Sequence, residues 1–255
     1  ETAVMPMIYM LSTSLRPNGA LYEFPPHFFP KLSEITLENY RYIFAQEKFY
    51  LNFINSVVVA VITIVLAAII ASALAYCLAR FEFPGKKLLF ALVIGMMIIP
   101  GTTLIITQYQ LASFFKLTNK LLGLVPFYVA WGISFSTFMI KGYIESIPRE
   151  FDEAAYADGG SVFTVFFRII LPLASPAIAS VSIFNFLTAW EEFTWAMTVI
   201  NDNAKRTLPI AISGFFGQHQ FTQWGYVFAM SVASLVPVLI VFILCQKYFV
   251  SGLQA

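Results

Sequence analysis

Long apolar runs, rather than short alternations, dominate the pattern of the chain. Five stretches, roughly 53–79, 87–109, 121–143, 171–200 and 223–250, are apolar almost throughout, and charges, prolines and glycines collect between them. A helix needs about 20 mainly apolar residues to cross the hydrocarbon core of a bilayer, so each stretch is long enough to span. Ala3 to Leu15 is apolar as well but too short, which predicts that the numbered sequence begins inside a further helix. The expected fold is an all-α polytopic membrane protein of about six transmembrane helices, the first truncated, forming one transmembrane domain over 1–255.

The polar connections refine this picture. Arg16 to Tyr50 carries Pro17, Pro25, Pro26 and Pro30 and a balance of acids and bases, which predicts an extramembranous loop followed by a short helix over Thr36 to Phe44. Arg80 to Lys87 is short and holds Arg80, Lys86 and Lys87, the densest positive segment between two spans. Short loops rich in Lys and Arg stay in the cytoplasm. With that side fixed, Lys141 to Ile170 is also cytoplasmic and Asn201 to Thr222 faces the other way.

Composition supports a membrane protein and removes other classes. The hydrophobic fraction is 59%, the charged fraction 11% and the mean hydropathy +0.77, well outside soluble globular usage. A net charge of +1, scattered between apolar runs, lacks the concentrated basic surface that nucleic-acid binding requires. Cys77 and Cys245 lie in apolar runs and His27 and His219 are isolated in loop-like sequence, so no metal site is expected. Met5 to Leu15 lacks the basic segment that precedes a cleavable signal peptide. No G-x-x-x-x-G-K-[ST] pattern is present, so any nucleotide-driven work draws on another subunit.

Between the third and fourth of the five long runs lies PREFDEAAYADGGSVFTVFFRIILP, from Pro148 to Pro172. Pro148 suits the first turn of a helix, and Glu150, Asp152 and Glu153 put negative charge where the helix dipole favours it. Ala154, Ala155 and Ala157 favour helix without bulk, and Gly159-Gly160 then stops it. Ser161 can cap a second helix through Arg168, with Pro172 opening the next span. The physics fits either a helix built for close docking, with Glu153 seeking a cationic partner, or a solvated loop whose acids only offset the dipole.

The spacing carries a resemblance. Glu153-Ala154-Ala155, three residues, Gly159, nine residues, Ile169, one residue and Leu171-Pro172 form an unbroken match to the EAA motif of ABC importer permeases. Asn39-Tyr40-Arg41 with Phe44, Asn55-Ser56, the run from Ala75 to Lys87, Pro100, Ile147-Pro148 and Phe249 with Gly252-Leu253 also resemble the carbohydrate-uptake branch, whose second maltose permease subunit is similar. The resemblance implies that 148–168 is a cytoplasmic coupling helix received by an ATPase subunit. Glu153 would pair there with a basic residue, Ala154 and Ala155 would permit close packing, and Gly159 would make the turn. It also implies a homologous permease partner, two ATP-binding cassette subunits that hold ATP and Mg, an extracytoplasmic solute-binding protein and a bacterial inner-membrane location. This chain would itself be no enzyme and bind no cofactor.

Polar residues inside the membrane are the remaining candidates. Glu191 and Glu192 fall late in the 171–200 run, and Asn185, Thr188 and Glu192 follow i, i+3, i+7 spacing on one helical face. A carboxylate facing lipid costs several kcal/mol, so this stripe is a candidate lining of a translocation path. The other reading leaves the glutamates near the interface, because so long a helix exceeds the hydrocarbon core of about 30 Å. The 27 Phe of the chain fit membrane packing and interfacial belts as well as sugar stacking. Two alternatives stay open at this point: a permease for a non-sugar solute, and a membrane-embedded enzyme using Glu191 and Glu192 as acid and base.

Overall fold

The structure is a computed structural model that describes residues 4–18, 29–45, 47, 49–216 and 223–252, the last without side chains at 244 and 246–252. His27, His219 and Leu253, and the side chain of Phe249, lie outside the described residues. Among the described residues every regular element is helical. In chain order these are α1 (Met5–Ser14), α2 (Glu38–Ala45), α3 (Phe49–Arg80), α4 (Lys86–Ile98), α5 (Ile105–Phe114), α6 (Val125–Ser146) and α7 (Glu150–Ala157). There follow α8 (Val162–Val165), α9 (Leu171–Leu173), α10 (Ser175–Glu191), α11 (Thr194–Val199), α12 (Leu208–Ser213) and α13 (Trp224–Gly252).

Among the described residues three helices are long and apolar enough to cross a membrane: Phe49–Arg80, Leu121–Ser146 and Trp224–Ile243. Two further candidates are bent pairs, Lys86–Ile98 with Gly101–Phe114 at 95° and Val162–Leu173 with Ser175–Glu191 at 72°. Prolines explain both breaks. Ile99 precedes Pro100 and is pushed into extended backbone, with φ −82° and ψ 116°, which ends α4. Pro172 and Pro176 flank the second bend and each lacks the N–H that would carry the helical ladder through it. The runs 87–109 and 171–200, each expected to be one helix, are therefore interrupted.

The chain falls into two compact units, Glu1–Val58 with Asn119–Leu121 and Trp190–Ile240, and Val59–Thr118 with Leu122–Ala189 and Val241–Ala255. In the second unit α3 shows two opposed stripes. Ala67, Ala71 and Ala75 are fully buried, whereas Val61, Val65 and Ile69 on the opposite face are exposed. Small residues at four-residue spacing let helices approach closely in a membrane. Ala71, Ala75 and Ala79 accordingly share one core cluster with Ile140 and Ile144 of α6 and with Val165, Ile170 and Val181.

In the first unit, side-chain amides fasten the loop before α12. Asn52 donates to the Arg206 carbonyl at 2.9 Å, and Asn55 to the Ala204 and Arg206 carbonyls at 2.9 and 3.0 Å. Ser56 Oγ accepts from the Leu208 N–H at 2.8 Å, which satisfies an otherwise unpaired donor at the start of α12. Asn39 likewise donates to the Ser14 and Arg16 carbonyls, and the Tyr40 hydroxyl lies 2.8 Å from Ser14 Oγ.

Candidate functional site

The segment 148–172 folds as its local chemistry dictates. Arg149 stands at the N-cap of α7, and Glu150, Asp152 and Glu153 occupy the first turn. Gly159 takes φ +78°, a conformation that costs a side-chain-bearing residue. The Gly160 N–H reaches back to the Ala155 carbonyl at 2.8 Å and the Gly159 N–H to the Tyr156 carbonyl at 3.0 Å, the paired bonds of a Schellman stop. Ser161 Oγ accepts from the Thr164 N–H at 3.2 Å and caps α8. Phe166–Ile170 is a π-helical turn, so the second helix is continuous only as far as Val165.

Neighbouring acids on α7 point in different directions because successive helical residues lie 100° apart. Asp152 turns inward, where its Oδ2 lies 2.8 Å from Arg80 Nε, and the two side chains are only 10% and 5% exposed. Arg80 Nη2 also donates to the Ile147 carbonyl at 2.9 Å. Glu153 and Ala154 turn outward and are exposed, beside exposed Phe151 and Tyr156. Ala155 is half-buried and packs on the core cluster. Ile169 and Leu171 are half-buried, and Pro172 is exposed.

From sequence, Arg80 counts only toward the sidedness of its loop and Asp152 only toward the helix dipole, and neither is a site candidate. A helical wheel of α7 places Asp152 on the side of Ala155, away from Glu153, and that was the signal available for it. Its partner lies 72 residues earlier at the end of α3, and no local pattern announces the pairing. In the same α3–α4 corner Glu82 is exposed, and the ammonium of Lys86, 2.7 Å away, holds its carboxyl below the usual range.

The membrane-embedded polar residues do not form one stripe. Asn185 is buried on α10 and its amide donates to Ser136 Oγ of α6 at 2.9 Å. Thr188 is exposed and bonds back to the Phe184 carbonyl at 3.0 Å. The helix ends at Glu191, which lines a cavity of about 350 Å³ with Trp190, Phe193 and Leu208. Glu192 lies beyond that end, and its two carboxylate oxygens accept from the Trp195 and Ala196 N–H groups at 2.7 and 2.9 Å. These two bonds cap the start of α11, where a carboxylate also complements the dipole. Among the described residues no three His, Cys, Asp or Glu side chains gather as a metal site would require.

Comparison with known proteins agrees with this architecture. The permease protein DasC of the diacetylchitobiose uptake system of Streptomyces coelicolor is 31% identical over 99% of this chain and 90% of its own length. The trehalose/maltose transport system permease protein MalG of Thermococcus litoralis is 35% identical over 86% of this chain and 80% of its own. A crystal structure of a bacterial ABC transporter involved in import of the acidic polysaccharide alginate superposes with a TM-score of 0.86 at 22% identity. The match covers 97% of this chain and 91% of that one. Residues 48–253 match the family model described as binding-protein-dependent transport system inner membrane component, and the chain belongs to that family.

Proposed function

We propose that this chain is a carbohydrate permease subunit whose segment 148–168 transmits the work of ATP hydrolysis to the membrane spans. The observation that carries the reading is the division of labour on α7. Asp152 is buried against Arg80 while Glu153 and Ala154 are presented outward on the same turn. A short helix fixed on one side and open on the other is suited to a cleft in a partner. Exposed Phe151 and Tyr156 add apolar surface, and Glu153 offers a charge for a basic residue there.

In this account the permease has about six spans and 148–168 lies in the cytoplasm, together with the Arg80–Lys87 corner. One of the importer's two ATP-binding cassette subunits docks there, and the two carry ATP and Mg. A homologous permease completes the path, a solute-binding protein delivers on the other side of a bacterial inner membrane, and lipid surrounds the exposed apolar stripe of α3. Glu153, Ala154, Ala155, Gly159, Ile169, Leu171 and Pro172 form the coupling site. Asn185, Thr188 and Glu191 line or support the path, and Glu192 shapes its end through α11. Acid–base catalysis by the glutamate pair gains no support, since the Glu192 carboxylate is committed to backbone amides.

Carbohydrate as the solute class is supported by the relatives, which are named for diacetylchitobiose and trehalose/maltose. The test is uptake by the assembled importer in proteoliposomes, with labelled diacetylchitobiose, maltose and trehalose against labelled amino acids. ATP-dependent accumulation of a sugar is the expected result. Accumulation of amino acids alone would move the chain to another solute class.

A further inference from the structure

We infer that the Arg80–Asp152 ion pair is a mechanical latch that makes α7 move as one body with α3 and α6. The inference rests on the reading of α7 as the segment that meets the ATPase, and it names the residues that carry the load beyond that contact.

One guanidinium fastens three elements. Arg80 is the last residue of α3, Ile147 is the C-cap of α6, and Asp152 stands in the first turn of α7. Arg80 Nη2 donates to the Ile147 carbonyl at 2.9 Å, and Arg80 Nε lies 2.8 Å from Asp152 Oδ2 as a buried ion pair whose N–H is not aligned as a hydrogen bond. A planar guanidinium holds a fixed fork of donors, a geometry that an ammonium does not reproduce.

Burial makes stability alone a poor reason for this arrangement. Taking two charges out of water offsets much of their attraction, and well-packed apolar side chains in the same space are often as stabilising. What the pair supplies is direction. Tyr76, Ala79, Ile147 and Val165 belong to the adjoining core cluster and are all at least nine-tenths buried. A force applied at Glu153 acts on the turn that Asp152 holds, and the latch passes it to two membrane helices.

Arg80 and Asp152 are positioning residues, and the test reads motion rather than yield. Spin labels are placed through Lys87→Cys and Ala157→Cys, both exposed positions, with Cys77→Ser and Cys245→Ser as background. The assembled importer is measured in lipid vesicles, without nucleotide and after trapping with ATP and vanadate. With the latch intact, the label separation is narrow and the same in both states. In Arg80→Gln and in Asp152→Asn the separation broadens and shifts on trapping, while the ATPase subunits still copurify.

General destabilisation would lower the amount of complex without making the separation depend on nucleotide. The charge-swapped double variant, Arg80→Asp with Asp152→Arg, guards against single variants that fail to assemble, and it restores the narrow, nucleotide-independent separation. An intact latch whose separation already shifts on trapping, single variants that stay narrow in both states, or a swap that fails to restore, each overturns the inference. Glu153→Lys separates it from the reading beneath it. If that variant keeps its ATPase subunits and full ATP-dependent uptake, the docking role of α7 fails. If it loses them, or hydrolyses ATP without uptake, while the latch variants stay narrow, docking stands and the latch falls.

Discussion

The side-chain amide of Asn185 donates to Ser136 Oγ at 2.9 Å and lies so close over Gly132 that a Cβ there would force the Asn185 side chain to shift. A polar bond between helices inside a membrane contributes about 1 kcal/mol. Asn185→Ala is expected to lower the thermal stability of the purified permease complex by about that much. Gly132→Ala is expected to cost more, because the new methyl displaces the amide from Ser136 and does not merely remove one bond. Equal melting temperatures for wild type and Gly132→Ala would contradict this packing.

Glu192 tests a second local claim. Losing a cap costs about 0.5–2 kcal/mol. Glu192→Ala is therefore expected to destabilise α11, seen as faster hydrogen exchange at the Trp195 and Ala196 amides, whereas Glu192→Gln keeps an acceptor and loses less. Were the carboxylate serving only the translocation path, uptake would fall with no change in exchange at those amides.

Gly159 tests the turn between the two short helices. At φ +78° a Cβ costs about 1–2 kcal/mol, so Gly159→Ala is expected to loosen the stop of α7 and reduce ATP-dependent uptake. Gly160→Ala is expected to be at least as damaging, since its Cβ would lie 2.6 Å from the Ala155 carbonyl oxygen. Unchanged uptake in both variants would remove the turn from the mechanism.

The loop before α12 carries a pH dependence. The Ala204 N–H, and after it the Lys205 ammonium, hold the Asp202 carboxyl below its ordinary range. A carboxylate whose folded-state pKa is lowered contributes stability that is complete above the ordinary Asp value of about 3.9 and is lost as pH falls through the folded value. Exchange at the Ala204 amide, corrected for its intrinsic rate, is expected to accelerate as pH drops below about 4. Asp202→Asn should abolish that acceleration, and its persistence would assign the effect to another group.

Much of this architecture is legible in the sequence where the controlling physics is local. The span over 53–79 is realised within α3, the expected helix over Thr36 to Phe44 is α2, and Gly159 and Ser161 stop and start helices where their chemistry places them. Pro100 and Pro172 are visible as well, but an apolar run with a proline in it does not state an angle, and the bends are 95° and 72°. The pairing of Arg80 with Asp152 was illegible for another reason. It joins positions far apart in the chain, and neither residue breaks a local rule.

The most direct test of the central claim is Glu153→Lys in the assembled importer, with copurification of the ATPase subunits and ATP-dependent uptake measured together. The account predicts that the variant inserts in the membrane but loses its ATPase subunits, or keeps them and hydrolyses ATP without uptake, with Glu153→Ala intermediate. A properly inserted Glu153→Lys permease that retains both subunits and full uptake would contradict it and reduce Glu153 to an offset for the α7 dipole.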